Sequence, residues 1–275
     1  MNRERLQRIR NFQSDDWYPA LVMRPLTILV MLLIADWKFL TPNRLTTLAN
    51  IFKLAAAWLI LDPGRWIEAV ILLHLGILFD HLDGTVARYR RTFTKLGSFY
   101  DKVSDMVTWW PIMLAAGWQA YRQTGDAWYL ILSTSSATAM NVRAYMKWLA
   151  QAETERVRWF EAREDPAAAV AKRTQPIVIK PPPLRTRSEW VRWFFVRWSR
   201  IVWFEEMDLW FWLSLALLID RLEWGLWLLC VTQVIGCFAM IIVRHIEMTK
   251  VDARLRELEV AELAGPAPTP PASSS

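Results

Sequence analysis

The chain has 275 residues, of which 54% are hydrophobic and 22% are charged, with a formal net charge of +6. A chain this apolar can bury enough surface to offset its ordering entropy, which excludes a generally disordered protein. A disulfide scaffold is excluded as well, because the only cysteines, Cys230 and Cys237, would lie about 10 Å apart on one helix, beyond disulfide reach.

The first predicted element is a helix at 20–40 that lies in the membrane interface. Its charge-free core, Leu26–Ala35, is ten residues long. Ten residues of helix span about 15 Å, which is half of a bilayer. Charged residues flank this core, so we expect an amphipathic helix with its apolar face in lipid.

Six apolar runs follow that suit the roughly 17–25 residues that a membrane crossing requires. In chain order they are Leu45–Leu61, Trp66–Ala87, Gly97–Ala120, Ala127–Leu149, Met207–Leu222 and Gly225–Val243. The fifth run is short, and the first carries Lys53 near its middle, where the side chain could either line a cavity or extend to the interface. Six crossings put every basic cluster on one side of the membrane, which the positive-inside rule makes the cytoplasmic side.

The sequence therefore predicts an all-α integral membrane protein with six transmembrane helices preceded by an interfacial amphipathic helix. A cytoplasmic N-terminus and the interfacial helix occupy 1–40. The membrane domain occupies 41–247 and includes a cytoplasmic loop at 150–206. A helical extension and a disordered tail, both cytoplasmic, occupy 248–275. In a bacterium, the cell or inner membrane would hold the protein.

The positive charge is open to two interpretations, an anionic membrane surface or nucleic acid. Tryptophan and arginine alternate within Trp190–Phe204, a pattern that can bind single-stranded nucleic acid. Beside a membrane span, the same pattern is typical of an interfacial belt. We favour the belt, and we expect the lipid bilayer and no nucleic acid as a partner.

Two acidic stripes lie at the facing ends of the second and third predicted spans. The first stripe comprises Asp80, Asp83, Gly84, Ala87 and Arg88, and the second comprises Gly97, Asp101 and Asp105. Spacings of three and four residues place each set on one face of a helix. Because a short basic turn joins the two helices, they are expected to be antiparallel neighbours, and the four carboxylates converge at the cytoplasmic end of this hairpin.

Four carboxylates in a membrane need compensating positive charge, because each charge there costs on the order of 3 kcal/mol or more. Arg88 and Lys102 could supply two charges, and a network of salt bridges is one alternative. That alternative does not explain why the small residues Gly84, Ala87 and Gly97 share the acidic stripes. Clustered oxygens suit Mg²⁺ or Mn²⁺, and two ions would balance the count and form a clamp for displacement at phosphorus.

The spacing D-x2-D-G-x2-A-R-x8-G-x3-D-x3-D, from Asp80 to Asp105, resembles the signature of the CDP-alcohol phosphotransferase (CDP-alcohol phosphatidyltransferase) family at every fixed position. Thr41–Thr46 reads T-P-N-R-L-T and is similar to the entry to the first span in that family. The resemblance implies a phospholipid-synthesis enzyme, working as a homodimer, that transfers a substituted phosphate from a CDP-alcohol to an acceptor alcohol and releases CMP.

The resemblance also implies roles for individual residues. Asp80 and Asp101 would bridge two metal ions, Asp83 would bind the first ion, and Asp105 would bind the second and act as general base. The residues that would hold the CDP moiety are Asn43, Arg44, Leu45, Thr46, Gly84, Ala87, Arg88, Thr94 and Gly97.

The acceptor alcohol stays open at the level of the sequence. Arg143 and Lys147 could hold an acceptor phosphate, and Glu205 belongs to the same predicted site, but the run Glu205–Asp208 contains no basic residue. We expect phosphatidyl transfer from CDP-diacylglycerol. The alternatives are transfer from a CDP-aminoalcohol of the choline or ethanolamine type to a lipid alcohol, and a non-catalytic membrane scaffold that retains the fold.

Overall fold

The computed structural model describes residues 9, 18–164, 186–192, 195 and 206–264, and in this part of the chain the regular secondary structure is entirely helical. A π-helix at Pro19–Met23 leads into the first α-helix, and a 3₁₀ turn at Pro63–Arg65 precedes the third. The α-helices are α1 (Arg24–Ile34), α2 (Pro42–Ile60), α3 (Trp66–Arg90), α4 (Lys95–Thr124), α5 (Trp128–Glu164), α6 (Glu206–Leu218) and α7 (Leu222–Ala264).

Local signals in the sequence set the ends of the helices that matter most for function. Thr41 caps α2 by accepting a hydrogen bond from the Arg44 backbone N–H at 3.4 Å, and Pro42 occupies the first helical position. Thr94 caps α4 in the same way through the backbone N–H of Gly97 at 2.9 Å. Between them, α3 ends at Arg90, because the next residue, Arg91, has a left-handed backbone with a φ of 56°. The α3–α4 turn is thereby confined to 91–94.

The chain divides into two compact units. In the first, Met1–Asn141 with Leu184–Cys237, α2 packs against both α3 and α4, and α3 also contacts α1 and α6. The second, Val142–Pro183 with Phe238–Ser275, contains the distal parts of α5 and α7. There Glu161 and Arg254 form an ion pair at 3.4 Å.

Arg90 ties the residues between α1 and α2 to the end of α3. Its guanidinium donates to the carbonyl oxygens of Ala35 (3.1 and 3.0 Å), Trp37 (2.9 Å) and Leu40 (2.7 Å). The Tyr89 hydroxyl adds a hydrogen bond to Oδ1 of Asp36 at 3.2 Å. One cationic side chain thus donates to three carbonyl groups of the segment between α1 and α2.

Helices are present at all six predicted spans, but their lengths and polarities differ. Pro63–Arg90 and Leu222–Val260 are long and apolar enough to cross a membrane, since each contains an 18-residue stretch with a mean hydropathy of 1.4 and 2.4, respectively. Many large apolar side chains point outward, among them Trp58, Trp224 and Leu33, each more than 70% exposed. Such exposure is consistent with a membrane protein, while six crossings stay a prediction.

The predicted interfacial helix is shorter than expected. Helical structure covers Pro19–Met23 and Arg24–Ile34 and stops before 40. Leu26, Leu29 and Leu33 are exposed, while Met31 and Ile34 are buried. Both the buried face and the outward face are therefore apolar, so the described structure does not separate a polar from an apolar face. The amphipathic character and the interfacial position of this helix stay predictions.

Candidate active site

A cavity of about 740 Å³ opens between the N-terminal ends of α2 and α4 and the C-terminal end of α3. Most of the residues expected to contact a CDP-alcohol or its metals meet here. Those that line the cavity are Asn43, Thr46, Asp83, Gly84, Ala87, Arg88, Thr94, Gly97 and Asp101. The cavity forms because α3 and α4 are joined by a four-residue turn, which brings their signature residues face to face.

Two of the four signature carboxylates line this cavity, and the other two lie buried close to Asp101. Asp80, Asp101 and Asp105 each offer one oxygen, and these oxygens lie within 4.8 Å of one another. Asp83 and Asp101 line the cavity itself. The side chains of Asp80 and Asp105 are only 8% and 14% exposed and are not among the lining groups. The cluster therefore has an open side and a closed side.

Helix α2 supplies a hydroxyl donor to the cluster. Thr46 is buried, and its Oγ1 lies 2.5 Å from Oδ2 of Asp83 and 3.2 Å from the carbonyl oxygen of Pro42. Thr46 was predicted to hold the CDP moiety. It lines the cavity, and its hydroxyl also lies against a predicted metal ligand, Asp83, which it can orient.

Helix α2 also supplies a cation, Lys53, whose direction the sequence left open. The side chain is 2% exposed, and its Nζ lies 2.6 Å from Oδ1 of Asp105 and 3.3 Å from Oδ1 of Asp80. Lys53, rather than the predicted Arg88 and Lys102, is the cation in contact with Asp80 and Asp105. A signal was present, since Lys53 follows Thr46 by seven residues, close to two helical turns, and so shares its face.

Small residues shape the floor of the cavity. A Cβ atom on Gly97 would lie 2.9 Å from Oγ1 of Thr94 and 3.1 Å from Oδ1 of Asn43, closer than side chains normally approach. A Cβ atom on Gly84 would lie 3.3 Å from Nη1 of Arg88. These glycines keep the space between the helix backbones open and leave the Arg88 guanidinium room at the rim.

The sequence model of the CDP-alcohol phosphatidyltransferase family matches residues 39–198, which is more than half of the chain. The chain belongs to the CDP-alcohol phosphatidyltransferase family. Membership confirms the resemblance found in the Asp80–Asp105 signature, and the matched range contains α2, α3 and α4, which build the cavity.

A relative found by sequence and a relative found by structure are both phosphatidylinositol phosphate synthases. A phosphatidylinositol phosphate synthase of Corynebacterium glutamicum is 32% identical over 108 residues, which cover 39% of this chain and 49% of that protein. The match thus spans about half the length of the curated relative.

Two solved structures of Mycobacterium tuberculosis phosphatidylinositol phosphate synthase are similar in fold. One has CDP-DAG bound, with a TM-score of 0.54 and coverage of 82% of this chain and 94% of that chain. The other is in complex with manganese and citrate, with a TM-score of 0.51 and coverage of 81% and 88%. Both are 19% identical in sequence, so they show a shared fold.

Two of the residues expected to hold the CDP moiety, Arg44 and Leu45, do not line the cavity. The Arg44 guanidinium donates to the Phe39 carbonyl oxygen at 2.7 Å, and Leu45 is fully buried in an apolar cluster with Met31 and Leu82. Of the predicted acceptor ligands, Arg143 and Lys147 belong to the second compact unit, and Glu205 lies outside the described residues. The roles of all these residues stay predictions.

Proposed function

We propose that this member of the family transfers the phosphatidyl group of CDP-diacylglycerol to an acceptor alcohol and releases CMP. The observation that carries the proposal is a 740 Å³ cavity lined by Asp83, Asp101, Gly84, Arg88 and Gly97, with the oxygens of Asp80 and Asp105 within 4.8 Å of an oxygen of Asp101. The similar mycobacterial structure with CDP-DAG bound supports the choice of donor.

Asp80, Asp101 and Asp105 fit a divalent cation, because three carboxylate oxygens within 4.8 Å of one another are the hard ligands that Mg²⁺ and Mn²⁺ prefer. We propose two ions, with Asp83 completing the ligand set. When bound, such ions stabilise negative charge on the pyrophosphate and on the departing CMP. The manganese in the second mycobacterial structure supports a metal-dependent site.

Residues that line the cavity hold and orient the donor. Arg88, at the rim, pairs with phosphate oxygens of the donor. Gly84 and Gly97 let the pyrophosphate approach the helix backbones. Thr46 fixes one oxygen of Asp83. Together these contacts hold the donor so that its lipid-linked phosphorus faces the acceptor.

Asp105 is the proposed general base. The acceptor oxygen forms a bond to the lipid-linked phosphorus, the bond from that phosphorus to the oxygen of CMP breaks, and the acceptor proton passes to the carboxylate. Lys53 holds Oδ1 of Asp105, so we propose Oδ2 as the proton acceptor.

We further propose that α2–α7 provide six membrane crossings with the cavity on the cytoplasmic side, and that the protein works as a homodimer. The basic clusters of the sequence support this orientation through the positive-inside rule. A site at the membrane surface lets a lipid donor meet a water-soluble acceptor. The corynebacterial and mycobacterial relatives are phosphatidylinositol phosphate synthases, which supports an acceptor that carries a phosphate.

The test is product analysis with purified protein in lipid nanodiscs. CDP-diacylglycerol and Mg²⁺ or Mn²⁺ are supplied with inositol phosphate, glycerol phosphate, inositol or serine, and CMP and the new lipid are measured by mass spectrometry. A second arm supplies CDP-choline or CDP-ethanolamine with diacylglycerol. We expect CMP and one new phospholipid in the first arm. Product only in the second arm would show that the donor is a CDP-aminoalcohol and not CDP-diacylglycerol. Folded protein that gives no product in either arm would favour a non-catalytic scaffold.

A further inference from the structure

The ammonium group of Lys53 is buried against Asp80 and Asp105, the two aspartates that do not line the cavity. It lies 2.6 Å from Oδ1 of Asp105 and 3.3 Å from Oδ1 of Asp80, and the side chain is 2% exposed. A buried charge is retained only where opposite charges and hydrogen bonds compensate its lost hydration. The ammonium group contacts one carboxylate on α3 and one on α4. Lys53 therefore links α2 to both helices.

The path of the Lys53 side chain depends on a glycine. A Cβ atom on Gly76 would lie 2.9 Å from Cγ of Lys53 and 3.0 Å from the carbonyl oxygen of Ala49. Gly76 precedes Asp80 by four residues and therefore lies one turn away on the same face of α3. The absence of a side chain at 76 lets α2 approach α3 closely and lets the lysine stem run along α3 towards Asp80.

From this arrangement we infer that Lys53 is a built-in counter-ion, which holds Asp80 and Asp105 together before metal binds and opposes the binding of divalent ions at that side of the cluster. The inference rests on the proposed function, because it takes these aspartates as metal ligands. Lys53 is thus a positioning residue. It reduces repulsion among four carboxylates in the metal-free protein, and it makes metal binding weaker and hence more readily reversible.

The sign of the effect follows from electrostatics. A cation in contact with a ligand oxygen lies about 5 Å from an ion bound by that carboxylate, and at that distance a unit charge weakens divalent binding by roughly tenfold even in water. Removing the charge therefore strengthens metal binding. It also leaves the metal-free cluster more repulsive, so the same change destabilises the protein in the absence of metal.

The experiment compares wild type with Lys53→Met in nanodiscs, using Mn²⁺ alone as the probe. Mn²⁺ affinity is measured by electron paramagnetic resonance, and Tm is measured in EDTA and in saturating Mn²⁺. We expect Lys53→Met to bind Mn²⁺ roughly tenfold or more tightly. It should melt at a lower temperature in EDTA and gain more Tm from Mn²⁺ than wild type does. Lys250→Met, which removes an exposed lysine of the second unit, should match wild type.

Two further variants separate charge from packing. Lys53→Gln keeps a polar side chain without the charge and should bind Mn²⁺ as Lys53→Met does, which also covers a failure of the methionine variant to fold. Lys53→Arg keeps the charge and should stay close to wild type. Unchanged or weaker Mn²⁺ binding in both uncharged variants overturns the inference, as does an equal loss of Tm with and without Mn²⁺.

These readouts need no turnover, so they are independent of the CMP assay. Absence of CMP release with tighter Mn²⁺ binding in Lys53→Met would reject the proposed function and retain the counter-ion. CMP release by wild type with equal Mn²⁺ affinities would do the reverse. Absence of Mn²⁺ binding by all variants overturns the counter-ion as well.

Discussion

Removing the hydroxyl of Thr46 should reduce catalytic efficiency by about ten- to a hundredfold without unfolding the protein. The Thr46 Oγ1 lies 2.5 Å from Oδ2 of Asp83, and both side chains are buried. A hydrogen bond to a charged group contributes about 1.5–3 kcal/mol. Each 1.36 kcal/mol of transition-state stabilisation corresponds to a factor of ten in rate. Thr46→Val keeps the shape and β-branching of the side chain, so the loss falls mainly on the orientation of Asp83.

The adjacent residue supplies a matched control. Thr47 is exposed, and its hydroxyl bonds to the Asn43 carbonyl oxygen at 2.8 Å and the Tyr100 hydroxyl at 3.0 Å. Thr47→Val therefore removes the same group one residue along without touching an aspartate. kcat/KM for CDP-diacylglycerol and Tm are measured for both variants. Equal kcat/KM values for the two variants would refute the proposed role of Thr46 in holding Asp83.

Three other changes test different parts of the site. Gly97→Ala should leave stability nearly unchanged, because loss of the Thr94 cap costs about 1 kcal/mol and alanine in place of glycine returns a similar amount. Its Cβ would crowd Asn43, so KM for the CDP-alcohol should rise, and an unchanged KM would contradict a donor site there. Arg90→Met removes a cation that donates to three carbonyl groups and should cost about 2 kcal/mol, seen as a lower Tm and faster proteolysis at 35–41. Asp80→Ala should abolish Mg²⁺-stimulated transfer, as EDTA should for wild type, and retained stimulation would contradict the metal site.

The spacing of the signature predicted that its residues converge at one end of the α3–α4 hairpin, because spacing within one helix fixes which residues share a face. Asp83, Gly84, Arg88, Gly97 and Asp101 indeed line one cavity. Spacing alone does not fix the rotation of α2 about its own axis against α3 and α4. The direction of Lys53 depends on that rotation and on Gly76, which lies on a different helix.

Helix ends were harder to predict than helix faces. The fourth predicted span ends at Leu149, yet α5 continues to Glu164. The hydropathy signal stops where the polar residues begin, but these include good helix formers, and no proline intervenes before Pro166. In contrast, the helix predicted at 20–40 ends earlier than predicted. The carbonyl oxygens of Trp37 and Leu40 accept hydrogen bonds from Arg90 instead of bonding within a longer helix.

The most direct test of the proposed transfer is release of radiolabelled CMP from CDP-diacylglycerol by wild type and by Asp105→Asn, with donor binding measured on the same samples. We expect metal-dependent CMP release by wild type. We expect no release by Asp105→Asn, while donor binding stays close to that of wild type, because the amide keeps the shape of the side chain but accepts no proton. Near-normal CMP release by Asp105→Asn would contradict the proposed base, and no release by folded wild type with any acceptor would contradict the proposed transfer.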